Sequence, residues 1–178
     1  MLLKLLKYLA GLSCSLVVAC APSTDQSPVT SSPATPHDEA FLASRIISLA
    51  PNLTELVFQA GAGDRLIAVV DYSDYPEAAL SLPRIGDSFR IDFERLRQLD
   101  PDLVLVWSTG NPADMQSRLR DLKFNLLILE PSDIEDVANH VRLIGERAGT
   151  EVVANEAADV YLATLEGIWD SYGAEPDT

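Results

Sequence analysis

Four short aliphatic runs, each separated from the next by a helix-patterned stretch or a turn, constrain this chain more than any other feature. They are Ile46–Leu49, Leu66–Val70, Leu103–Trp107 and Leu126–Leu129. None alternates apolar with polar, so each reads as a strand buried on both faces, which is the signature of a parallel sheet covered by helices. Helices fit between and after them. Asn52 followed by Glu55 has the spacing of a capping box, and Gly61 and Gly63 close the helix it opens. Asp92 caps a short helix over Phe93–Leu99 that Pro101 stops. Asn111-Pro112 opens another helix running to Leu122, and Ser132 with Glu135 caps a third that Gly149 ends. A last helix runs from Thr150 to about Tyr172. The expected fold is therefore α/β: a mostly parallel sheet flanked by helices and ending in one long helix.

The residues ahead of this region point to export. Met1–Tyr8 carries Lys4 and Lys7 and no acid, and Leu9–Ala19 is almost wholly small or apolar. A charged segment followed by a short apolar one is a secretory signal, since a spanning helix needs about 20 apolar residues. The apolar stretch ends in Val17-Val18-Ala19-Cys20, which resembles a bacterial lipobox. That resemblance implies cleavage before Cys20, a lipid on its thiol, and attachment at the periplasmic or cell-surface side of a membrane. Residues 1–19 are thus expected to be the signal peptide. Residues 20–42 form a tether, because Ala21–Glu39 holds four prolines among many Ser and Thr residues and shows no apolar periodicity.

Charge and cysteine usage narrow the function classes. Removing Lys4 and Lys7 from the formal −14 leaves −16, which disfavours nucleic acid, whose phosphates require clustered Lys and Arg. No cysteine follows Cys20, so neither a disulfide framework nor a thiolate metal cluster is expected. His37 lies in the tether and His140 within a helix, where it reads as a surface residue. No Gly-x-Ser-x-Gly elbow and no phosphate-cradling Gly-Lys-Ser/Thr loop occurs. The acid pairs Asp71/Asp74 and Asp100/Asp102 sit in turns, where carboxylates cap or solvate. The chain is read as a non-enzyme with no catalytic residues, no bound metal and no cofactor.

Several segments carry a resemblance. Arg45-Ile-Ile-Ser-Leu-Ala-Pro-Asn-Leu-Thr-Glu-Leu56 resembles the opening of class III periplasmic binding proteins, in which two lobes are joined by one long helix. Tyr72-Ser-Asp-Tyr-Pro76, Phe93-Glu-Arg-Leu96 and Leu99-Asp-Pro-Asp-Leu-Val-Leu-Val-Trp107 are similar to its cobalamin-binding branch. The resemblance covers about Arg45–Gly149. It implies that residues 43–149 form the N-terminal binding lobe and that residues 150–178 begin the inter-lobe helix, the C-terminal lobe being absent from this sequence. It further implies an ABC importer permease as partner and cobalamin or a related corrinoid as transported ligand. Haem or an iron siderophore is the alternative cargo. A docking lobe without a small ligand is the alternative of another class.

The same resemblance assigns roles to residues. Ligand would lie at the C-terminal ends of the strands, with Tyr72 and Trp107 emerging from neighbouring strand tips onto one concave edge. A lobe-edge Tyr and a core Trp are the plainer readings of those two residues. Pro51 and Asn52 share the rim, where the first N–H groups of a helix point at the cleft; an ordinary helix start is the equal reading. The branch carries a further aromatic where Ser88 stands, and Phe89 follows it as a substitute. Glu94 matches the position of a carboxylate that docks onto permease arginines, and it also suits the first turn of its helix.

Overall fold

The computed structural model describes residues 42–172. The signal sequence, Cys20 with its expected lipid, and the tether up to residue 41 lie outside the described residues. Strands β1 (Ile46–Ser48), β2 (Leu66–Val69), β3 (Leu103–Trp107) and β4 (Leu126–Leu129) form one sheet. Their order is β2-β1-β3-β4 and every pairing is parallel. Helices α1 (Pro51–Gln59), α2 (Phe93–Gln98), α3 (Ala113–Asp121), α4 (Asp136–Ala148) and α5 (Glu151–Tyr172) make the connections and the end.

Alternate strand residues feed two apolar cores, one on each face. Ile46, Leu103, Leu105, Leu127 and Leu129 pack with α1, α4 and Ala154 of α5. Ile47, Ala68, Val104 and Val106 pack with Leu96 of α2, Met115 and Leu119 of α3, and Ile85 and Ile91. Burial on both faces explains why the runs read as continuously apolar. The chain builds outward from β1 in both directions, so β1 and β3 flank a topological switch point, where open α/β sheets form a crevice beyond the strand ends. Ser48 pairs with Leu105, so β3 continues two residues past the end of β1 and carries Trp107 beyond it.

The helix starts differ from two expectations. Ala50, in an extended conformation, precedes α1, and Pro51 takes the first helical position; no side chain caps it. Proline fits there because its missing N–H would be unpaired anyway, and Asn52 consequently falls inside the helix rather than before it. At α4 the bonds shift by one residue from the Ser132/Glu135 box. The Asp136 carboxylate accepts from the Ser132 N–H at 2.7 Å, while Asp133 Oδ1 accepts from the Asp136 N–H at 3.0 Å. The Asp92 cap forms as expected, accepting from the N–H groups of Glu94 and Arg95 at 3.0 Å each.

Gly149 ends α4 in the left-handed region at φ 65°, where a side chain would strain the backbone. Thr150 then donates its hydroxyl to the Ala60 carbonyl at 2.6 Å, which seats the start of α5 against the end of α1. Among the described residues of α5 only Ala154 and Ala158 are fully buried, and Val160, Ile168 and Trp169 are exposed. The 22-residue helix spans about 33 Å. At the opposite end of the sheet, Asp102 accepts from the Ser44 N–H (2.8 Å), the Ser44 hydroxyl (2.9 Å) and the Arg45 N–H (2.9 Å), which anchors the entering chain.

Candidate ligand-binding rim

Beyond β2 the chain makes a turn that displays Tyr72. The residue adopts φ 66°, a region that costs a non-glycine residue roughly 1–2 kcal/mol. Its neighbours hold it there. Asp71 N–H donates to the Gly86 carbonyl at 2.7 Å. Arg84 donates to the carbonyls of Val70 (3.1 Å) and Ser73 (3.0 Å) and pairs with Asp74 at 3.2 Å. Ser73 is buried, and its hydroxyl lies 3.2 Å from that of Thr54, itself 3.0 Å from the Ser48 hydroxyl. The outcome is a tyrosine ring that is 79% exposed on a fixed base. Strained, over-determined backbone of this kind clusters at functional sites.

A tight hairpin displays a second ring. Gly86 bridges Ile91, and Asp87 Oδ1 accepts from the N–H groups of Phe89 (2.7 Å) and Arg90 (2.8 Å). Phe89 stands at the tip, 74% exposed, while Ser88 beside it is half-buried. Phe89 borders a hollow of about 370 Å³ shared with Arg90, Phe93 and Arg118, whose guanidinium lies 4.1 Å from the Phe93 ring centre.

Trp107 is half-buried and packs on the core beneath α1 and α4. His140 of α4 meets it edge-on, with ring centres 5.7 Å apart. His140 is 7% exposed, so the expectation of a surface histidine is corrected. Val137, Val141, Ile144 and Ala148 also face the core, and His140 falls on their side of α4 by the three- and four-residue spacing of a helix. Its Nδ1 has no protein partner among the described residues. A Cβ placed on Gly110 would stand 2.7 Å from Trp107 Cδ1, so the ring rests directly over that glycine.

Pro51 is half-buried and Asn52 exposed at the start of α1, which follows the C-terminal end of β1. Tyr72, Ser88, Phe89, Trp107, Pro51 and Asn52 therefore belong to segments that follow or bridge the C-terminal ends of β1, β2 and β3. One expectation changes: β1 stands between β2 and β3, so the tips carrying Tyr72 and Trp107 are two strand spacings apart, about 10 Å, rather than adjacent. Glu94 is exposed in the first turn of α2, two residues beyond its capping Asp92. A concavity of about 530 Å³ lies at the other end of the sheet between Arg97, Asp100, Lys123 and Asn125. It touches none of these residues, whereas Tyr72 and Phe89 stand exposed at the rim.

Two residues escaped the reading of the sequence. Asn111, expected only to open a helix, is 3% exposed and bonded to three backbone groups of the rim. Arg84 carries the Tyr72 turn. The available signals were an Asn-Pro pair four residues past the end of a buried strand and an arginine, Arg84, directly after a proline in the loop that follows β2.

Comparison with known proteins agrees with this geometry. The family model described as periplasmic binding protein matches residues 46–177. The vitamin B12-binding protein of Vibrio cholerae serotype O1 is 35% identical over 134 residues, covering 75% of this chain and 49% of that relative. The crystal structure of the periplasmic vitamin B12-binding protein of Vibrio cholerae superposes with a TM-score of 0.71 at 35% identity, covering 74% of this chain and 52% of that one. The apo periplasmic heme-binding protein of Roseiflexus sp. RS-1 superposes with a TM-score of 0.64 at 25% identity, covering 72% and 49%. The chain spans about half the length of the relatives it matches, and those relatives bind solutes rather than catalyse reactions. With its parallel sheet, flanking helices and long final helix, the chain belongs to the periplasmic binding protein family.

Proposed function

We propose that this chain supplies one lobe of an extracytoplasmic protein that captures cobalamin for an ABC importer. The observation that carries the reading is Tyr72, a large ring held 79% exposed by a turn whose backbone is strained and bonded to Arg84 on both sides. Folding gains nothing from exposing that ring, whereas a broad, flat ligand does. Phe89 is exposed and Trp107 half-buried beyond the strand ends, and each offers the ligand a further flat face. Aromatic side chains bury about 150–250 Å² each and ask for few polar partners, which suits a corrin ring. Pro51, Asn52 and Ser88 complete the contact surface, with the first N–H groups of α1 turned toward ligand oxygens. The likeness to B12-binding relatives at 35% identity supports this cargo over haem, whose binding protein matches at 25%.

One lobe is half of a trap. The ligand is held between this lobe and a second one joined through α5, and residues 150–178 form the start of that connection. Glu94 meets permease arginines from its exposed position on α2, while Cys20 carries the lipid that keeps the lobe near the membrane. Residues 1–19 are the signal that directs export.

The test is a cyanocobalamin titration. Trp169 is exposed on α5, so the Trp169→Phe variant leaves Trp107 as sole indole reporter. Quenching of Trp107 that saturates with cyanocobalamin, and that weakens about tenfold in Tyr72→Ala, is expected; one lost ring contact of about 1.4 kcal/mol gives that factor. Unquenched emission at saturating cyanocobalamin rules the cargo out. Quenching by haemin instead assigns the haem alternative, and silence with both ligands leaves the docking-lobe alternative.

A further inference from the structure

Three rim segments approach one another without a strand ladder to hold them. The β1–β3 ladder ends at the bond from Leu49 N–H to the Leu105 carbonyl, short of Trp107. The Gly86–Ile91 hairpin is tied by its own ends to the β2 side, through Asp71. Yet Leu49, Ser88 and Trp107 all converge on the Asn111 side chain. Its Nδ2 donates to the Leu49 carbonyl and to the Ser88 carbonyl, both at 2.8 Å, and its Oδ1 accepts from the Trp107 N–H at 2.7 Å. The orientation of the amide is dictated by these partners, since two carbonyls demand the NH₂ end and one N–H demands the oxygen. Helix α3 fixes the turn from behind: Gln116 Nε2 donates to the carbonyls of Asn111 (2.9 Å) and Ser108 (3.1 Å).

We infer that Asn111 is the positioning residue that locks the Leu49–Asn52, Gly86–Ile91 and Trp107–Asn111 segments into one preformed face. This rests on the reading of the rim as the ligand surface. A planar group with two donors and one acceptor is required at that distance. Aspartate offers no donor, glutamine is one methylene longer, and serine offers a single donor. With Asn111 in place, Pro51, Ser88, Phe89 and Trp107 meet the ligand already in register, and binding does not have to order them. Without it, each ring survives but the segments move independently.

The pattern of loosening separates this role from plain structural support. Asn111→Asp keeps the acceptor for Trp107 N–H but sets an oxygen against two carbonyls. Asn111→Ala loses all three bonds. Hydrogen exchange of the unliganded full chain reads the difference. In Asn111→Ala, residues 86–91 and the Trp107 amide are expected to exchange at least tenfold faster while α4 keeps its protection. In Asn111→Asp, Trp107 keeps its protection and only 86–91 loosens. Leu119→Ala, a fully buried core truncation on α3, is the control: it lowers global stability, so exchange in α4 and the rim rises by the same factor through whole-lobe unfolding, and the folded rim stays in register. If Asn111→Ala does not fold, Asn111→Asp and Gln116→Met are compared in the same way. Wild-type exchange at 86–91 relative to α4, or a change confined to the Trp107 amide, overturns the inference.

The binding arm uses cyanocobalamin with Trp107 emission in the Trp169→Phe background. Dissociation from Asn111→Ala is expected to be about tenfold faster, with the Leu119→Ala control unchanged; equal dissociation rates in Asn111→Ala and the unsubstituted chain overturn the positioning role. If the unsubstituted chain binds no cyanocobalamin, the functional reading falls, and the exchange pattern alone upholds or overturns the link between the three segments.

Discussion

The rings of Trp107 and His140 meet edge to face, their planes at 82° and their centres 5.7 Å apart. This contact joins the tip of β3 to the buried side of α4. It uses the aromatic character of His140 and not its polarity, for Nδ1 is buried without a protein partner among the described residues.

Replacing His140 by phenylalanine is therefore expected to keep the ring contact and to raise stability by about 1 kcal/mol, since an unpaired buried nitrogen is removed. His140→Ala opens a cavity beneath Trp107 and costs about 2–4 kcal/mol, with Trp107 emission shifted to the red. Urea denaturation and emission spectra of both variants in the Trp169→Phe background check the pair of signs.

Tyr72 is expected to separate stability from binding. Tyr72→Gly removes a side chain that is mostly in water and relieves a positive φ, so thermal stability is held or rises by up to about 1 kcal/mol. Affinity for cyanocobalamin falls about tenfold in the same variant. A variant that loses stability and binding together would show that the ring serves the fold.

Gly110 sets the height of the Trp107 ring. A methyl group there meets Cδ1 at 2.7 Å, so Gly110→Ala is expected to push the indole off its seat, at a cost of about 1–3 kcal/mol. Calorimetric titration with cyanocobalamin is expected to show weaker binding than for the unsubstituted chain, alongside a folded circular dichroism spectrum.

Asp102 gives the lobe an acid-sensitive anchor. Burial works against its charge, but the N–H groups of Ser44 and Arg45, the Ser44 hydroxyl and the Arg45 guanidinium together outweigh that and hold its carboxyl below the ordinary aspartate range. A depressed folded value stabilises the protein above the unfolded value, about 3.9, and the contribution is lost as pH falls through the folded value. Asp102→Asn is thus expected to cost about 1–3 kcal/mol near neutral pH. The gap between variant and unsubstituted chain closes as pH falls below 4, as measured by urea denaturation across pH.

The sheet and most helix ends were legible because their causes are local. Leu103–Trp107 and Leu126–Leu129 are strands over the expected residues, and Gly149 stops α4 where a left-handed residue is needed. What stayed hidden depends on partners far along the chain. Asn111 bonds to backbone carbonyls 62 and 23 positions away, and a carbonyl has no letter in a sequence. The strand order hid the gap between the Tyr72 and Trp107 tips for the same reason, since pairing is chosen by the whole sheet. His140 shares the inward stripe of α4 with Val137, Val141 and Ile144, and its polarity hides that place in the sequence.

The bonds that Arg84 makes to Val70, Ser73 and Asp74 bear on how such a protein would close. A shoulder clamped at three points does not flex to greet its cargo; it behaves as an anvil. Ligand-free and loaded forms of this half are expected to overlay closely around residues 70–74, with any hinging placed along α5 and the pace of release set there.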